Sequence, residues 1–572
     1  MNQDWLAGGD CGSPPICERV EPFDKLGGGT RDPEERRRFA LCWLTAGKGK
    51  FVAKAKNVLF IMCDQLRADH LSCAGHPNLR TPAIDALAKR GVLFPRAYVQ
   101  SGVCGPSRMS YYTGRYMTSH GATWNRVPLS LHERTIGDFL RPAGWRVALA
   151  GKTHVIPDTD GLERYGIEGG SALAALLRAG GFEELDRYDG HSPPGKESGY
   201  ADYLRAHGYA SADPWNDYVI SADGPDGKPV SGWHMRNVGL PSRVAEEHSE
   251  TAYMTRVAMR FIEDMGDKPW CLHLSYVKPH WPYMAPAPYH ALYGAKDCLP
   301  LNRDERELTD QHPVLEAYRR HDESVSFQRP EAPGIVRPAY MGLIRQIDDW
   351  LGRLFARLEE LGRLDDTLIF FTADHGDFLG DHWLGEKEMF YEEAQRVPFI
   401  VCDPDPAADA TRGTVDPRFV EAIDVVPTML AALGLPPHEH LVEGRSLLPL
   451  LRGGTPEAWR DAVFSELDYS FRDARRFLGR APRDCRAIMV RTDQWKYVWW
   501  QGYRPMLFDL ASDPHELTDL GASDGHQAVR REMEERIAAW LKARKTRETV
   551  DDATVEARTS AHRKHGILFG MW

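Results

Sequence analysis

The sequence predicts an α/β fold with a large, mostly parallel central sheet flanked by helices, and a smaller antiparallel sheet near the C-terminus. Continuous apolar runs of strand length lie at residues 57–62, 145–150, 270–277 and 367–371, as expected of strands buried on both faces. Segments with helical periodicity lie between these runs. After residue 451 apolar and polar residues alternate instead, which predicts the smaller antiparallel sheet.

Capping and breaking residues set the boundaries of the predicted helices. Pro82 suits the first turn of a helix, where its missing N–H is not needed, and Gly91 can end that helix. Between residues 339 and 361 apolar side chains recur at the spacing of an amphipathic helix. Further helices are predicted at residues 107–112, 250–265, 421–433 (interrupted by Pro427) and 529–542.

Other segments differ from this alternation of buried strands and helices. A further strand is predicted at residues 397–402, and the alternating segments 462–467, 485–490 and 494–499 are predicted to pair with one another. Residues 158–248 are rich in turns and show no clear period. A long irregular region in an enzyme usually forms a lid or a substrate wall, so we expect selectivity there.

The length and charge of the chain limit its partners. Its 572 residues suffice for one large domain and a smaller one, and its net charge of −11 argues against nucleic acid or an anionic membrane. No apolar run approaches the ~20 residues of a membrane span, and the N-terminus does not resemble a secretory signal. The ten cysteines are scattered without a C-x-x-C pair. We therefore expect a cytoplasmic protein without membrane or nucleic-acid partners.

The stretch Cys104-Gly-Pro-Ser-Arg108 places a cysteine at the start of a predicted helix. Pro106 fits the first turn, and the free N–H groups and dipole of a helix N-terminus favour an anion. Arg108 lies about one turn further along and could face the same ligand. A buried cysteine beside an ordinary turn would explain the stretch equally well if it stood alone.

Four of the apolar strands end in residues able to bind metals or transfer protons. These are Asp64 and Gln65, Lys152 and His154, Lys278 and His280, and Asp374 and His375, with Lys387 following the last pair. In open parallel sheets ligands bind beyond the carboxyl ends of the strands. Each pair alone could be a polar turn, but their common location predicts a single site.

Cys104-Gly-Pro-Ser-Arg108 resembles the C-x-P-x-R signature of the formylglycine-dependent sulfatases, a branch of the alkaline phosphatase superfamily. The resemblance extends from about Asn57 to about Leu520 and is greatest to the arylsulfatase and phosphonate monoester hydrolase subgroup. It implies that a maturation enzyme oxidises Cys104 to formylglycine, whose aldehyde hydrate is the nucleophile.

The resemblance also implies one divalent metal, held by Asp64, Gln65, Asp374, His375 and the oxidised Cys104. These oxygen-rich ligands suit Ca²⁺, Mg²⁺ or Mn²⁺. Many sulfatases have a second aspartate where this chain has Gln65, and an asparagine where it has His375. These changes remove negative charge or add a nitrogen ligand, so they favour Mn²⁺ over Ca²⁺ as the bound metal.

The resemblance assigns roles to the remaining residues. Arg108, Lys152 and Lys387 are expected to neutralise the anionic oxygens of the ester. His280 or Lys387 is expected to protonate the leaving oxygen. His154 is expected to take the proton of the second hydroxyl of the hydrate, so that sulfate is expelled and the aldehyde is restored.

Three functions stay open at this point. Gly151-Lys152-Thr-His154 is typical of sulfatases, whereas the phosphonate hydrolases have uncharged hydroxyl residues there, so a sulfate monoester hydrolase is favoured. A phosphonate monoester or phosphate diester hydrolase is the alternative, and Asn125 resembles a substrate-contacting asparagine of that subgroup. A metal-binding non-enzyme whose Cys104 stays unoxidised is the third.

The resemblance and the composition divide the chain into four segments. Residues 1–52 are expected to be a poorly ordered or peripheral extension, 53–455 the catalytic domain, and 456–545 a small α+β subdomain. Residues 546–572 are a candidate arm for oligomerisation. We expect a homo-oligomer, dimer or tetramer, that acts on a small anionic ester.

Overall fold

The computed structural model describes residues 55–190, 198–545 and 547–568. Its strands, numbered along the chain, are β1 (Asn57–Asp64), β2 (Val92–Leu93), β3 (Ala97–Tyr98), β4 (Arg146–Gly151), β5 (Glu183–Arg187), β6 (Ser221–Asp223), β7 (Pro229–Ser231), β8 (Trp270–Pro279), β9 (Thr367–Ala373), β10 (Arg396–Val397), β11 (Phe399–Cys402), β12 (Thr414–Val415), β13 (Val420–Glu421), β14 (Val463–Asp468), β15 (Arg486–Arg491), β16 (Trp495–Trp500) and β17 (Met506–Asp509).

The α-helices among the described residues are numbered in the same way. They are α1 (Pro82–Arg90), α2 (Cys104–Thr113), α3 (Met117–His120), α4 (Ile136–Leu140), α5 (Thr159–Arg164), α6 (Ala172–Arg178), α7 (Gly199–Ala206), α8 (Glu250–Met265), α9 (Pro313–Arg319), α10 (Asp322–Phe327), α11 (Ala332–Glu360), α12 (Glu392–Gln395), α13 (Val425–Ala432), α14 (Leu448–Leu451), α15 (Asp473–Phe477), α16 (Gln527–Lys542) and α17 (Asp552–Arg558).

An eight-stranded sheet forms the centre of the fold, in the order β12-β2-β11-β9-β1-β8-β4-β5. The five strands from β9 to β5 pair in parallel, whereas β11 runs antiparallel to β9 and β2. Every residue of β1, β8 and β9 is buried, as their continuous apolar runs predict. The predicted fold class, a large and mostly parallel sheet, is confirmed.

Helices cover both faces of this sheet. The amphipathic helices α8 and α11 pack against β8, and α8 also contacts β4 and β5. On the opposite face, Tyr111 of α2 places its ring 5.8 Å from the ring of Phe60 in β1. The sheet is therefore enclosed between layers of helix, and α2 lies directly over its central strand.

The second predicted sheet is antiparallel, with the order β14-β15-β16-β17. Trp500 and Phe508 of this sheet share a hydrophobic cluster with residues 389–391. Lys496 of β16 is buried, donates to the carbonyl oxygen of Phe390 at 2.9 Å and pairs with Glu392 at 2.9 Å and Glu516 at 2.6 Å. The segment that follows Lys387 is thereby fixed to this sheet.

The prolines were the main source of error in the predicted helix boundaries. Helix α11 begins at Ala332 rather than at residue 339 and continues through Pro338. The long buried stripe of this helix outweighs the one hydrogen bond that an internal proline removes. Pro427 does not interrupt α13, because it lies in the first turn of that helix, where no partner for an N–H is required.

Two other predictions were wrong in detail. The single strand predicted at 397–402 is two strands, because Pro398 separates β10, in a three-stranded sheet, from β11 in the central sheet. The segment predicted to be irregular, 158–248, contains α5 to α7 and β5 to β7 among its described residues. These elements are short, so they carry no period that a sequence window can detect.

The predicted segments at the two ends of the chain are only partly covered by the described residues. The predicted extension at 1–52 lies outside the described residues. The described part of the C-terminal segment 546–572 contains α17, and its Glu548 pairs with Arg115. Among the helices in the described ranges, none is both long enough and apolar enough to cross a membrane.

Candidate active site

Cys104 is the first residue of α2, which begins earlier than the sequence predicted. Val103 precedes it in an extended conformation, and Pro106 sits in the first turn, where its missing N–H costs nothing. The side chain of Cys104 is fully buried. Burial, and then the charge of Asp64, raise the pKa of this thiol to about 12, so it is protonated at neutral pH.

Four buried side chains surround the start of α2 as a group that could hold a metal ion. Asp64, Cys104, Asp374 and His375 each offer a ligand atom, and these atoms lie within 4.8 Å of one another. His375 Nε2 is 3.0 Å from Cys104 Sγ, and 3.7 Å from one oxygen of each aspartate. The structure therefore brings these four predicted residues together.

The topology of the sheet explains why the two aspartates meet. β1 and β9 are adjacent parallel strands, and Cys63 is in register with Ala373. Asp64 and Asp374 each follow those residues in the chain, so both lie at the same carboxyl edge of the sheet.

The donor set of this cluster fits a divalent cation. His375 Nδ1 donates to the carbonyl oxygen of Gly376 at 2.8 Å, which leaves Nε2 directed at the cluster. Metal-binding imidazoles are commonly oriented by such a backbone acceptor. Burial lowers the pKa of His375, which favours the neutral form that a ligand needs. Two carboxylates and one imidazole are suitable ligands for Mn²⁺, Ca²⁺ or Mg²⁺.

Gln65 lies beside the cluster with a left-handed backbone (φ 66°). Its backbone N–H donates to Asp374 Oδ1 at 3.0 Å, and its amide oxygen accepts from Lys387 Nζ at 3.0 Å. Its amide nitrogen donates to Asp377 and, at 3.4 Å, to the hydroxyl of Tyr283. Gln65 thus links the aspartate cluster to Lys387.

Arg108 and Lys152 provide the positive charge next to the two aspartates. Arg108 donates from Nε to Asp374 at 2.8 Å and from Nη2 to Asp64 at 3.4 Å, and its Nη1 bonds Ser275 Oγ at 2.7 Å. Lys152 Nζ forms an ion pair with Asp64. Burial alone would raise the pKa of Asp64, but Lys152, His280 and Arg108 hold it well below its usual range. Asp64 is therefore ionised at neutral pH.

His280 and Lys387 meet on another side of the cluster. Lys387 Nζ donates to His280 Nε2 at 3.0 Å and pairs with Glu386 at 3.0 Å. His280 Nδ1 is 2.7 Å from the carbonyl oxygen of Trp281, which can only accept, so Nδ1 carries the proton. Burial would lower the pKa of Lys387, but the negative groups around it, Glu386 and Asp64 among them, raise it above its usual range. Lys387 is the protonated member of this pair.

His154 and Asn125 are the two remaining residues that the sequence assigned to this site. The backbone N–H of His154 donates to Asp189 at 3.2 Å, and burial followed by the charge of Lys152 lowers its pKa well below the usual range. Its imidazole is therefore neutral at pH 7. The side-chain oxygen of Asn125 accepts a hydrogen bond of 2.7 Å from the N–H of Gly105, the residue after Cys104.

Some residues at this site were not identified from the sequence. Asp377 is buried and accepts from Tyr283 at 2.6 Å as well as from Gln65, and burial raises its pKa to about 6. Its position two residues after His375 was the available signal. Asp189 lies in the segment predicted to be irregular, so no pattern marked it. Lys278, by contrast, was named from the sequence, but its Nζ donates to the carbonyl oxygen of Pro282 at 2.6 Å rather than to the aspartate cluster.

A mostly parallel sheet with a buried cysteine, two carboxylates, an imidazole and several cations at its carboxyl edge is the arrangement expected of a hydrolase of anionic esters. The sulfatase family model matches residues 56–435, and the model for the C-terminal region of N-sulphoglucosamine sulphohydrolase matches residues 380–543. The chain therefore belongs to the sulfatase family, in the alkaline phosphatase superfamily, and the predicted family and hydrolase class are confirmed.

Individual relatives agree with this assignment. The chain is 35% identical to the multifunctional alkaline phosphatase superfamily protein PehA of Trinickia caryophylli, over 85% of this chain and 95% of that protein. It is 29% identical to an arylsulfatase of Clostridium perfringens, over 82% of this chain and 91% of that protein. The crystal structure of a phosphonate monoester hydrolase of Agrobacterium radiobacter superimposes with a TM-score of 0.74, at 31% identity, covering 85% of this chain and 95% of that one.

Proposed function

We propose that this protein hydrolyses sulfate monoesters, in the manner of an arylsulfatase, with an oxidised Cys104 as nucleophile beside a divalent metal. The supporting observation is the cluster of four buried ligand groups whose atoms lie within 4.8 Å of one another at the start of α2. Membership of the sulfatase family implies a formylglycine-type nucleophile and a divalent metal. The proposal includes a maturation enzyme that oxidises Cys104 and a small anionic ester as substrate.

Asp64, Asp374 and His375 would hold the metal, together with Gln65 and the side chain at position 104. The imidazole of His375 favours Mn²⁺, with Ca²⁺ and Mg²⁺ as alternatives. When bound, a divalent ion supplies positive charge that favours deprotonation of the nucleophile. Arg108 and Lys152 share the neutralisation of the two aspartates, so they also fix the position of both carboxylates.

The cations and imidazoles are proposed to bind the ester and to transfer protons. Arg108, Lys152 and Lys387 bind the anionic oxygens of the ester and stabilise charge that develops on them. Lys387 is protonated and bonded to His280, so it can deliver a proton to the leaving oxygen directly or through His280 Nε2. His154, neutral at pH 7, accepts the proton that must leave the nucleophile side chain before sulfate departs.

Asn125 is proposed to contact the substrate. Its oxygen is occupied by the Gly105 N–H, so its amide N–H groups are the donors it can present to an ester oxygen. The same bond fixes the first turn of α2, which makes Asn125 a residue that also positions Cys104.

Removal of the metal should abolish hydrolysis of 4-nitrophenyl sulfate, and Mn²⁺ should restore it better than Ca²⁺ or Mg²⁺.

Asp374→Asn should reduce bound metal, measured by elemental mass spectrometry, because it takes one charge from the ligand set. The matched control is Asp348→Asn, a buried carboxylate of α11 that accepts from the N–H of Ile84 at 2.8 Å. It should keep its full metal content. Full metal in Asp374→Asn would contradict the proposed ligand set.

A phosphonate monoester or phosphate diester hydrolase is the second candidate. The similarity to a phosphonate monoester hydrolase, at 31% identity, favours it. Lys152 and His154 favour sulfate, and we expect promiscuous activity on the other esters.

Comparison of kcat/KM for 4-nitrophenyl sulfate and a 4-nitrophenyl phosphonate monoester tests this order. Both esters release the same phenol, so the ratio reports recognition of the transferred group. We expect the sulfate to be preferred. A clear preference for the phosphonate would reverse the assignment.

Other parts of the proposal concern the chain as a whole. We propose a catalytic domain at 53–455 and a smaller subdomain at 456–545, supported by the antiparallel sheet β14–β17. Three further statements stay predictions. Residues 1–52 are a peripheral extension, the protein is a homo-oligomer (dimer or tetramer) that uses residues 546–572 as an arm, and its location is cytoplasmic. A non-enzyme with unoxidised Cys104 is the remaining alternative.

A further inference from the structure

A cavity of about 490 Å³ opens next to the proposed proton donors. Two of its lining residues, Trp281 and Glu386, are the chain neighbours of His280 and Lys387. The rings of His280 and Trp281 stack with centroids 5.0 Å apart, and Lys387 pairs with Glu386 at 3.0 Å. The two groups that would protonate a leaving oxygen therefore also contact the wall of this cavity.

Four parts of the chain build the cavity. One wall comes from residues 232–236, within the long segment in which the sequence predicted substrate selectivity. A second comes from residues 281–283 after β8, and a third from residues 322–335, which include Ala332 and Ile335 of α11. Glu386 is the fourth contributor. The cavity therefore combines an aromatic side with a wall from residues 322–335 that is mostly charged.

Two indoles form the aromatic side. Trp233 meets Trp281 edge to face, with ring centroids 5.2 Å apart and planes at 71°. Trp233 is held by a hydrogen bond of 2.9 Å from its Nε1 to Asn216, and yet 43% of the residue is exposed. A fixed and exposed indole beside a cavity offers a face for a flat aromatic ring.

The charged residues of the lining do not favour an anionic leaving group. Glu386 is paired with Lys387 and Glu323 with Arg472. The remaining lining charges are Asp322 and Glu331 against Arg236 and Arg329, which balance. The lining would therefore select leaving groups by their shape and aromatic character rather than by their charge.

We propose that this cavity is the leaving-group subsite and that Trp233 and Trp281 select esters of uncharged aromatic alcohols over esters of alkyl alcohols. The inference rests on the proposed function, since it needs His280 and Lys387 to act on the leaving oxygen. It assigns the specificity-determining role to Trp233, which belongs to the segment 158–248.

The test compares phenyl sulfate with hexafluoroisopropyl sulfate, whose alcohol is at least as acidic as phenol but is not aromatic. Trp233→Ala should lower kcat/KM for phenyl sulfate by roughly 3- to 10-fold, the value of one aromatic contact, mainly through a higher KM. Activity on the alkyl ester should change little, and Trp233→Phe should keep most of the preference. An equal loss on both esters, or no loss on either, would overturn the subsite.

Phe471→Ala provides the matched control. Phe471 is also an exposed aromatic residue, at 51%, but it stacks on Trp124 at 5.9 Å, beside Asn125, and does not line the cavity. Its replacement should leave the ratio between the two esters unchanged, and a loss of aromatic preference there would place the leaving group elsewhere and refute the subsite. If wild-type protein with an oxidised Cys104 hydrolyses neither sulfate nor phosphonate esters, the proposed function fails and the subsite with it. If hydrolysis is intact and only the ratio is unaffected, the subsite alone fails.

Discussion

Cys104→Ala should eliminate ester hydrolysis, with a loss in kcat on the order of 10⁴ to 10⁶, the range found when an enzyme loses a catalytic nucleophile. A methyl group cannot be oxidised to an aldehyde and has no atom with which to attack sulfur or phosphorus. The side chain is fully buried among Asp64, Asp374 and His375, which the proposal assigns to the metal rather than to attack on the ester. Initial rates with 4-nitrophenyl sulfate provide the measurement.

The control for this variant is Cys402→Ala. Cys402 is also a buried cysteine, but it lies on β11 of the central sheet, where its thiol donates to the carbonyl oxygen of Leu87 at 3.3 Å. It should retain wild-type kcat, and circular dichroism should show both variants folded. Substantial turnover by folded Cys104→Ala would remove Cys104 from the mechanism.

Lys152→Ala should lower kcat by on the order of 10² to 10³, by analogy with removal of one oxyanion donor. Lys152 forms a fully buried ion pair with Asp64, so the replacement removes a cation from the site and also a partner of this proposed metal ligand. The pKa of Asp64 should rise as a result, because Lys152 is the largest of the influences that lower it. An ionised Asp64 is present above its pKa and is lost as the pH falls through it. The acid limb of the pH–rate profile should therefore move to higher pH.

The control is Lys268→Ala, which removes a lysine from an exposed position between α8 and β8. It should change neither kcat nor the acid limb. An unchanged kcat in Lys152→Ala would mean that Lys152 does not act on the substrate, whatever its contact with Asp64.

The central sheet and most of the site could be predicted because both depend on strong local signals. Strands buried on both faces are continuous apolar runs, and the carboxyl ends of parallel strands must meet at one edge. Asp64 and Asp374 are together for that reason alone. His375 joins them because it follows Asp374 directly in the chain.

The rest depended on tertiary contacts that no window of sequence contains. Pro338 lies inside a helix because packing outweighs local propensity, and Asp189 reaches the backbone of His154 from a segment without a period. Gln65 was expected from the resemblance to be a metal ligand, and its bond to Lys387 could be seen only in three dimensions. The cavity beside Trp233 combines four separate parts of the chain, so its existence could not be inferred from any one of them.

The most direct test is the mass of the tryptic peptide 97–108, which contains Cys104 and ends at Arg108. Protein produced with a formylglycine-generating enzyme and shown to hydrolyse 4-nitrophenyl sulfate should yield this peptide with an aldehyde in place of the thiol. The aldehyde fraction should rise in proportion to specific activity across preparations. Active protein in which position 104 is entirely unmodified cysteine would contradict the account.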